Sequence, residues 1–380
     1  MASNSRKLGR LLGTDTKIGI EDVDATIPVG VQFYDNDAAL PADGGVVGAK
    51  AYTVSEAKFY FWNGDVWGPL DIAEWEAPPS FSHVQGNNYG YFAGGQFGYG
   101  DPPQKGVNKI PFASDGNAVV CQALRTTTVL GEQKYSSGAT SDTHGFIASG
   151  ENNRTRLVKW AIVSENSAAA TGATMGLTIW QSVGQSSTVA GYVSGGRNLS
   201  YARSYIQKYP FAISTGTTNI VGNLTVSRLY EAGVSSVTHG YTAGGSTLAG
   251  SGTSSNVIDK FPFASDGNAT DVGDLDRTAW RSAGMSSFTD GYIDIGYTIN
   301  SPEGAINRFS FASDANAVFQ QNAIKYGGPK AGTQSRTHGY LAGSNGGTQE
   351  IDKISFVSVS GTTRVGNLVA GLYGGTGHQY

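Results

Sequence analysis

The fold prediction rests on one stretch of sequence, AGVSSVTHGYTAGG (residues 232–245), followed after a polar loop by VIDKFPFASDGNATDVGDL (residues 257–275). Phe261 and Phe263 alternate with Lys and Pro, which is the period of two that a β-strand shows. The stretch predicts four strands, at residues 232–236, 241–244, 257–264 and 269–275. A Thr-His-Gly turn is expected between the first two strands. A type I′ hairpin turn at Asp266-Gly267-Asn268 is expected between the last two.

This pattern recurs about every 49 residues along the chain. One marker is a Gly followed by Tyr or Phe, found at Gly90, Gly145, Gly191, Gly240, Gly291 and Gly339. A second marker is a basic residue in the third strand, found at Lys109, Lys159, Lys208, Lys260, Arg308 and Lys353. Two markers in the same phase indicate six copies of one supersecondary unit.

Six four-stranded antiparallel units of this length predict an all-β fold, a six-bladed β-propeller. A four-stranded blade cannot bury both of its apolar faces alone, and stacking around an axis buries them. The predicted propeller spans residues 80–380, behind an N-terminal β-module and arm at residues 1–79. The predicted blades cover about 80–123, 131–175, 182–224, 232–275, 283–320 and 331–368.

The C-terminal stretch AGLYGGTGHQY (residues 370–380) loosely resembles the opening of the fourth repeat. One interpretation is an inner strand that clasps the first and last blades. The other is a frayed terminus, since residues 80–89 are expected to supply the first blade's own first strand. The sequence leaves both open.

Composition excludes several classes of protein. The chain has 380 residues with 54 Gly but no G-X-Y period, and its 11% aromatic content is too high for a disordered chain. The net charge of −4 does not favour nucleic-acid binding, and no apolar run approaches a membrane span. Cys121 is the single cysteine, so no internal disulfide is expected. Residues 1–13 have no apolar core of a secretory leader.

The chain shows resemblances to two kinds of known protein. The Gly-Gly after the second strand and the aromatic third strand resemble kelch repeats over residues 80–370, although the outer-strand Trp of kelch blades is missing near Val272. Residues 29–70 resemble a small β unit of phage tail-fibre proteins. The matching residues are Leu40-Pro41, Gly44-Gly45, Gly48, Ala51-Tyr52, Tyr60, Trp62-Asn63-Gly64 and Trp67. The blade phrase also resembles repeat proteins of cyanophages.

The most conspicuous local motif is Thr-His-Gly. His144, His239 and His338 occupy one slot of the repeat, and with the six marker glycines they are predicted to be turn residues. The functional alternatives are a metal ring or a glycan-contacting face. Sheets stack about 10 Å apart while zinc needs nitrogen ligands near 2 Å, so the turn interpretation is favoured and no metal site is predicted.

Two other repeated features have structural and functional interpretations. The third-strand cations are expected to reach a surface or a neighbouring blade's acid rather than form a basic ring. The Ser-Asp-Gly-Asn-Ala-Thr stretch at residues 265–270 has partial copies at residues 114–118 and 313–317. It is expected to be a hairpin turn rather than a Ca²⁺ loop, because it lacks the Glu at position 12.

No catalytic motif is found, and neither catalytic nor cofactor-binding residues are predicted. Asp290 and Asp294, in the divergent fifth repeat, are the candidates for an alternative glycan-cleaving function. If the protein binds a ligand, the variable loops after Gly-Gly are the expected place, at residues 96–106, 197–203, 246–255 and 297–304.

The resemblances imply a non-enzymatic structural protein on a phage virion, as an appendage, fibre or decoration. Residues 1–79 are expected to contact other virion proteins, and the propeller loops a host-surface glycan or receptor. Neither nucleic acid nor membrane is an expected partner, and homo-oligomerisation stays open. A glycan-cleaving propeller and a cellular kelch-like interaction scaffold are the alternatives.

Overall fold

The computed structural model describes residues 31–42, 50–53, 58–62, 67–70, 86, 88–97, 106–123, 134–151, 155–162, 169–248, 253–298, 303–359 and 361–379. The chain divides into two compact units, Met1–Ser80 and Phe81–Tyr380. The described regular structure is β-strand apart from a 3-10 turn at Asp37–Ala39, so the all-β prediction is confirmed. Among the described residues, no helix is long and apolar enough to span a membrane.

The first unit contains a four-stranded sheet in the order β1-β2-β3-β4. Its strands are β1 Val31–Tyr34, β2 Lys50–Thr53, β3 Lys58–Trp62 and β4 Trp67–Leu70. β1 and β2 are parallel, and the other pairs are antiparallel. Trp62 pairs with Trp67, and the indole Nε1 of Trp67 donates to the carbonyl of Pro41 at 2.8 Å. The expected Asn63-Gly64 turn lies outside the described residues.

The second unit repeats one antiparallel order of strands. The first three groups are β5 Tyr89–Gln96, β6 Gly106–Pro111, β7 Val119–Ala123; β8 Ser137–Thr140, β9 His144–Ala148, β10 Arg156–Ala161, β11 Ala169–Thr174; and β12 Val183–Ser186, β13 Ala190–Ser194, β14 Arg197–Asn198, β15 Tyr201–Pro210, β16 Thr215–Thr217, β17 Asn219–Arg228. The short strand β16 extends the β8–β11 sheet, and β14 and β17 both pair with β15.

The later groups follow the same order of strands. They are β18 Ala232–Ser235, β19 His239–Ala243, β20 Ser255–Pro262, β21 Thr270–Ala279; β22 Ala283–Ser286, β23 Asp290–Asp294, β24 Ala305–Ser310, β25 Val318–Asn322; and β26 Ala331–Gln334, β27 His338–Ala342, β28 Thr348–Ser355, β29 Thr362–Gln379.

The long strand β29 belongs to two sheets at once. Its first part pairs with β28, and its second part pairs with β5 from Tyr373 opposite Gln96 to Gln379 opposite Gly90. The C-terminal stretch is therefore a strand paired with β5 rather than a frayed end. The expectation that residues 80–89 provide the first strand beside β5 is wrong, because Tyr373–Gln379 occupies that edge.

His378 fixes this terminal strand against the β8–β11 sheet. Its Nδ1 donates to the carbonyl of Ala139 at 3.1 Å, and its ring meets Trp160 edge-on at 4.6 Å. The side chain is fully buried, and burial lowers the pKa of His378 to about 3. This histidine is therefore a neutral anchor of the terminal strand.

The best-preserved repeat, β18–β21, shows where the predicted turns were wrong. The first turn ends at Thr238, so His239 and Gly240 begin β19 instead of forming the turn. No residue from 263 to 268 has a positive φ, so Asp266-Gly267-Asn268 is not a type I′ turn. The Gly-Gly that follows β19 does take positive φ, 66° at Gly244 and 98° at Gly245.

The marker glycines make room for large side chains in the third strand. A Cβ on Gly240 would overlap the ring of Phe261, which lies directly opposite in the ladder. Gly145 faces Trp160 and Gly291 faces Phe309 in the same way. The requirement is close approach rather than positive φ, because these glycines lie within extended strands.

A second set of glycines brings the first strands of successive sheets together. Each is the second residue of its first strand, and Gly377 holds the same place in the terminal strand. A Cβ on Gly233 would lie 2.7 Å from the carbonyl oxygen of Gly184, and one on Gly284 would overlap the carbonyl oxygen of Gly233. The members of the set are Gly138, Gly184, Gly233, Gly284, Gly332 and Gly377.

Buried polar side chains join each sheet to the one before it. The residue before the third-strand cation accepts a hydrogen bond from a backbone N–H of the preceding sheet or its connection. The pairs are Asn108 with Val369 (3.1 Å), Gln207 with Leu177 (2.9 Å), Asp259 with Thr225 (3.1 Å), Asn307 with Asp276 (2.9 Å) and Asp352 with Lys325 (3.1 Å). The β8–β11 sheet has Val158 at this place. Because all five acceptors are buried, each bond satisfies a group that water cannot reach.

The Ser-Asp-Gly/Ala-Asn turns contact the third and outer strands of the preceding sheet. Asp266 pairs with Lys208 at 2.8 Å, and Asn268 accepts from the N–H of Asn223 at 3.0 Å. The other two copies repeat both contacts, Asp314 with Lys260, Asn316 with Asp274, Asp115 with Lys353 and Asn117 with Asn367. These side chains are used between sheets, which explains why the segment is not a tight hairpin.

We expect Gly284→Ala to destabilise the protein by about 1–3 kcal/mol, because the added Cβ overlaps backbone that can move only by separating two sheets. Gly267→Ala is the matched control, since a Cβ there meets nothing within 4 Å. Thermal and urea unfolding of both variants measure the difference. Equal stability of the two variants would contradict the proposed close packing.

The fully buried pair of Arg228 with Asp259, 2.6 Å apart, predicts a large effect of Asp259→Asn. Arg228 also donates to the carbonyls of Val257 and Thr242, so its charge would stay buried without compensation. The expected loss is about 3–5 kcal/mol. Asp266→Asn removes the exposed pair with Lys208 and should cost about 1 kcal/mol or less. Urea unfolding should separate the two variants, and similar losses would refute this ranking.

Candidate binding site

The three predicted histidines and six marker glycines lie at the start of the second strands. The histidines are the first residues of β9, β19 and β27, and a marker Gly is the second residue of each of the six second strands. The members are His144, His239, His338, Gly90, Gly145, Gly191, Gly240, Gly291 and Gly339. The structure places each histidine at the start of a strand, directly after its own sheet's first turn, and does not bring the three together.

Each histidine closes its turn with local hydrogen bonds. The Nδ1 atoms lie 2.8, 2.8 and 2.9 Å from the hydroxyl of the preceding Thr143, Thr238 and Thr337. Partial burial lowers the pKa of all three histidines, and the third-strand lysine of the same sheet lowers it further. Among the described residues, no group of three or more His, Cys, Asp or Glu could hold a metal ion.

The third-strand cations are distributed among separate partners. Lys208, Lys260 and Lys353 pair with the turn aspartates of the next sheet, as described above. Arg308 pairs with Asp290 of its own sheet at 2.9 Å, and the ammonium of Lys109 lies 3.8 Å from the centroid of the Tyr89 ring. These contacts fit the interpretation of the cations as inter-sheet and surface residues.

The two candidate catalytic aspartates are not arranged as a pair. Asp290 and Asp294 are the first and last residues of β23, about 13 Å apart along the strand. Asp290 accepts from Arg308, while both oxygens of Asp294 accept from the buried Lys330 at 2.9 and 2.8 Å. Burial raises the pKa of Asp294, and Lys330 opposes that shift. A glycosidase needs two carboxyl groups that act on one substrate bond, whereas each of these carboxylates is held in its own ion pair.

The opposite end of the sheets carries a cavity. The first strands begin where the second strands end, as shown by Val183 opposite Ser194 and Ala232 opposite Ala243. The predicted variable loops begin at this end. The cavity, of about 120 Å³, is lined there by residues just before the first strands. Four of these take positive φ without being glycine, Tyr135 (51°), Gln181 (57°), Tyr230 (59°) and Arg281 (53°).

Aromatic side chains from several sheets meet at this cavity. Tyr135 contacts Tyr230 and Tyr373 edge-on, with ring centroids 5.7 Å apart in both cases. The amide of Gln181 donates to the hydroxyl of Tyr230. Trp280 joins the cluster at 5.9 Å from Tyr230. Ring contacts and hydrogen bonds fix the cavity wall before any ligand is present.

Two of the predicted variable loops reach this cluster. Arg197 places its guanidinium 3.7 Å from the centroid of the Trp180 ring, and the Tyr297 ring lies 5.4 Å from that of Trp280. The backbones of Trp180 and Arg197 also bond to each other, as do those of Trp280 and Tyr297. The loops at residues 98–105, 249–252 and 299–302 lie outside the described residues.

Arg281 is a cation of the cavity wall held by aromatic rings. Its guanidinium carbon lies 4.6 Å from the Trp280 centroid, 5.1 Å from that of Tyr230 and 5.7 Å from that of Tyr297. The hydroxyls of Tyr230, Tyr373 and Tyr135 lie around Arg281, and its buried Nε makes no hydrogen bond among the described residues. The other cation of the wall, Lys330, is neutralised by Asp294.

Glu231 lies beside the cavity, in the wall between two sheets. Its Oε1 accepts from the N–H of Gly196 at 2.9 Å, and its side chain is buried. Desolvation raises the pKa of Glu231 to about 8, although Arg228 and the backbone N–H favour the charged form. At neutral pH this carboxyl is mostly protonated, so it adds little negative charge to the wall.

Sequence reasoning predicted the loops but missed the cluster beside them. Four of the cluster residues lie three positions before a first-strand glycine, at Tyr135, Gln181, Tyr230 and Arg281, and Pro329 and Gly374 hold this position in the other two copies. Their spacing follows the repeat, which was the available signal. Their residue types differ from copy to copy, so no repeated motif marks them.

No family model matches this chain, and no curated protein matches it.

Glu231 should lower the stability as pH rises from about 4.5 through about 8, and the net fall should be clearest above about 6.5, because buried neutral His378 gives the opposite dependence below the ordinary histidine pKa of 6.5. The folded state keeps this proton up to about pH 8, while the unfolded state releases it near 4.5, so the folded state binds more protons in that window. Glu231→Gln keeps the neutral form and should flatten this fall. Thermal unfolding between pH 5 and 8.5 measures it. The control is Glu151→Gln, at a partly exposed side chain, and its stability should depend on pH as that of the unsubstituted protein does. If Glu231→Gln showed the same pH dependence as the unsubstituted protein, the prediction would be refuted.

Proposed function

We propose that residues 81–380 form a closed six-bladed, kelch-like β-propeller. The observation that supports this most is the order of the first-strand glycines. Gly184 lies against Gly138, Gly233 against Gly184, Gly284 against Gly233, Gly332 against Gly284 and Gly377 against Gly332, while Gly138 lies against Thr376 beside Gly377. This sequence of contacts returns to its starting point, as the blades of a propeller would.

The double use of β29 supports the same proposal. One strand is the outer strand beside β28 and also the inner strand beside β5, so the last and first repeats share backbone hydrogen bonds. A ring closed by the chain's own terminus has no open sheet edge at the junction. Such a rigid ring is suited to display loops.

The proposed role of this ring is structural and non-enzymatic, on the surface of a phage virion. The N-terminal unit, whose strands Lys58–Trp62 and Trp67–Leu70 contain the Trp pair of the fibre-type resemblance, would anchor the chain to other virion proteins. The propeller would face outward as an appendage, fibre or decoration and contact a host-surface glycan or receptor. The resemblance supports the virion, and the preformed cavity supports display of a binding surface.

A glycan-cleaving enzyme is the weaker alternative. The aspartates proposed for it are ion-paired at opposite ends of one strand, and cleavage needs two carboxyl groups on one substrate bond. A cellular interaction scaffold would use the same propeller without the particle.

Mass spectrometry and immunogold microscopy of purified phage particles test the virion role. We expect peptides of this chain at a fixed ratio to the major capsid protein, and label at one defined place on the particle. A fixed ratio distinguishes a built-in component from adhering host protein. Absence from washed particles would refute the virion role and favour the cellular scaffold.

A further inference from the structure

The uncompensated charge of Arg281 is the feature of the cavity that a ligand would complement. A partly buried guanidinium without a carboxylate partner keeps much of its capacity to bind an anion, because its surroundings screen it less than water does. Carboxylate is a planar partner that the guanidinium fork binds with two parallel hydrogen bonds. The positive charge of the wall therefore favours an anion over a neutral or cationic ligand.

The tyrosine hydroxyls around Arg281 add donors to the same place. Burial raises the pKa of Tyr135 and Tyr230, so both remain protonated at neutral pH. Tyr230 and Tyr135 line the cavity together with Arg281. Hydroxyl donors beside a guanidinium suit the oxygens of a carboxylate and of adjacent hydroxyl groups.

The size of the cavity and the exposed side chains at the same end of the sheets further restrict the class of ligand. A volume of 120 Å³ holds roughly ten water-sized groups, which is about one sugar ring with its substituents. Leu199 and Tyr201 lie in the loop at residues 197–203, at the same end of the sheets. They expose 63% and 69% of their surface to solvent. An exposed tyrosine at the end of the sheets that carries the cavity can stack on a sugar that continues outward from the bound unit.

We propose that this cavity binds one acidic sugar unit of a host-surface glycan, with the sugar carboxylate on Arg281 and the hydroxyls of Tyr230 and Tyr135. This assignment rests on the proposed display role and names its ligand class. The recognition is a binding event without a covalent step. A neutral sugar would leave the guanidinium without a counter-charge and bind more weakly.

Saturation-transfer NMR and calorimetry on the purified full chain test this assignment. The probes are D-glucuronic acid, D-galacturonic acid and N-acetylneuraminic acid, with D-glucose and D-galactose as neutral counterparts. Inorganic phosphate and N-acetylglutamate are included as anions that are not sugars. We expect at least one acidic sugar to bind at least tenfold more tightly than its neutral counterpart and than either other anion.

Three variants locate the bound carboxylate. Arg281→Gln should weaken binding by about 10–100-fold, as expected for losing a charged hydrogen bond in a protected site. Tyr230→Phe keeps the ring and should weaken binding severalfold. Arg308→Gln removes the same charge from the same sheet at the opposite end of the strands, and should leave affinity unchanged. Thermal unfolding of each variant separates loss of binding from loss of fold.

Several outcomes would overturn the assignment. The assignment fails if no acidic sugar binds, or if acidic and neutral sugars bind equally. It also fails if phosphate or N-acetylglutamate binds more tightly than every acidic sugar. Acidic-sugar binding that is unchanged in both Arg281→Gln and Tyr230→Phe would overturn it as well. The virion role is judged separately, from the particles. A chain found on particles without acidic-sugar affinity would refute only this assignment.

Discussion

Close backbone approach between first strands is the constraint on which the second unit depends. At Gly284 the place of a Cβ is taken by the carbonyl of Gly233, and the same contact recurs from sheet to sheet. Any side chain there would push two sheets apart, and every contact farther from the first strands would lengthen. The high glycine content is therefore a packing requirement rather than a sign of flexible linkers.

Polar contacts then fix how each sheet is placed against the one before it. Buried acceptors such as Asn307 and Asp259 bond to the preceding sheet deep in the interface, and the Asp266 and Asn268 side chains do so near its outer edge. Hydrophobic packing alone would tolerate sliding between sheets, whereas directional bonds at two depths fix one register. Only 15% of the residues are charged, and several of them are used for these bonds between sheets.

The two ends of the sheets differ in structure: one carries short hydrogen-bonded turns, and the other carries the cavity. At one end the turns are short and self-bonded, as in Ser236–His239, where the Ser hydroxyl accepts from two backbone N–H groups. At the other end the chain enters four of the first strands, β8, β12, β18 and β22, through a non-glycine residue with positive φ. Tyr135, Tyr230 and Arg281 are three of these residues, and they line one cavity. The proposed ring supplies a rigid base, so these side chains can form a cavity without a lid or a conformational change.

The sequence alone determined the all-β class, the repeat and its phase, because alternation and spacing are local properties that each copy shows. It also indicated the loops that reach the cavity, since they vary between copies. Tertiary structure decided what local patterns could not express. The terminal strand pairs with β5, almost 300 residues away, Asp266 serves the preceding sheet rather than its own turn, and Arg281 gains its surroundings from three other sheets. Each of these depends on which copies become neighbours in space, and spacing along the chain does not contain that information.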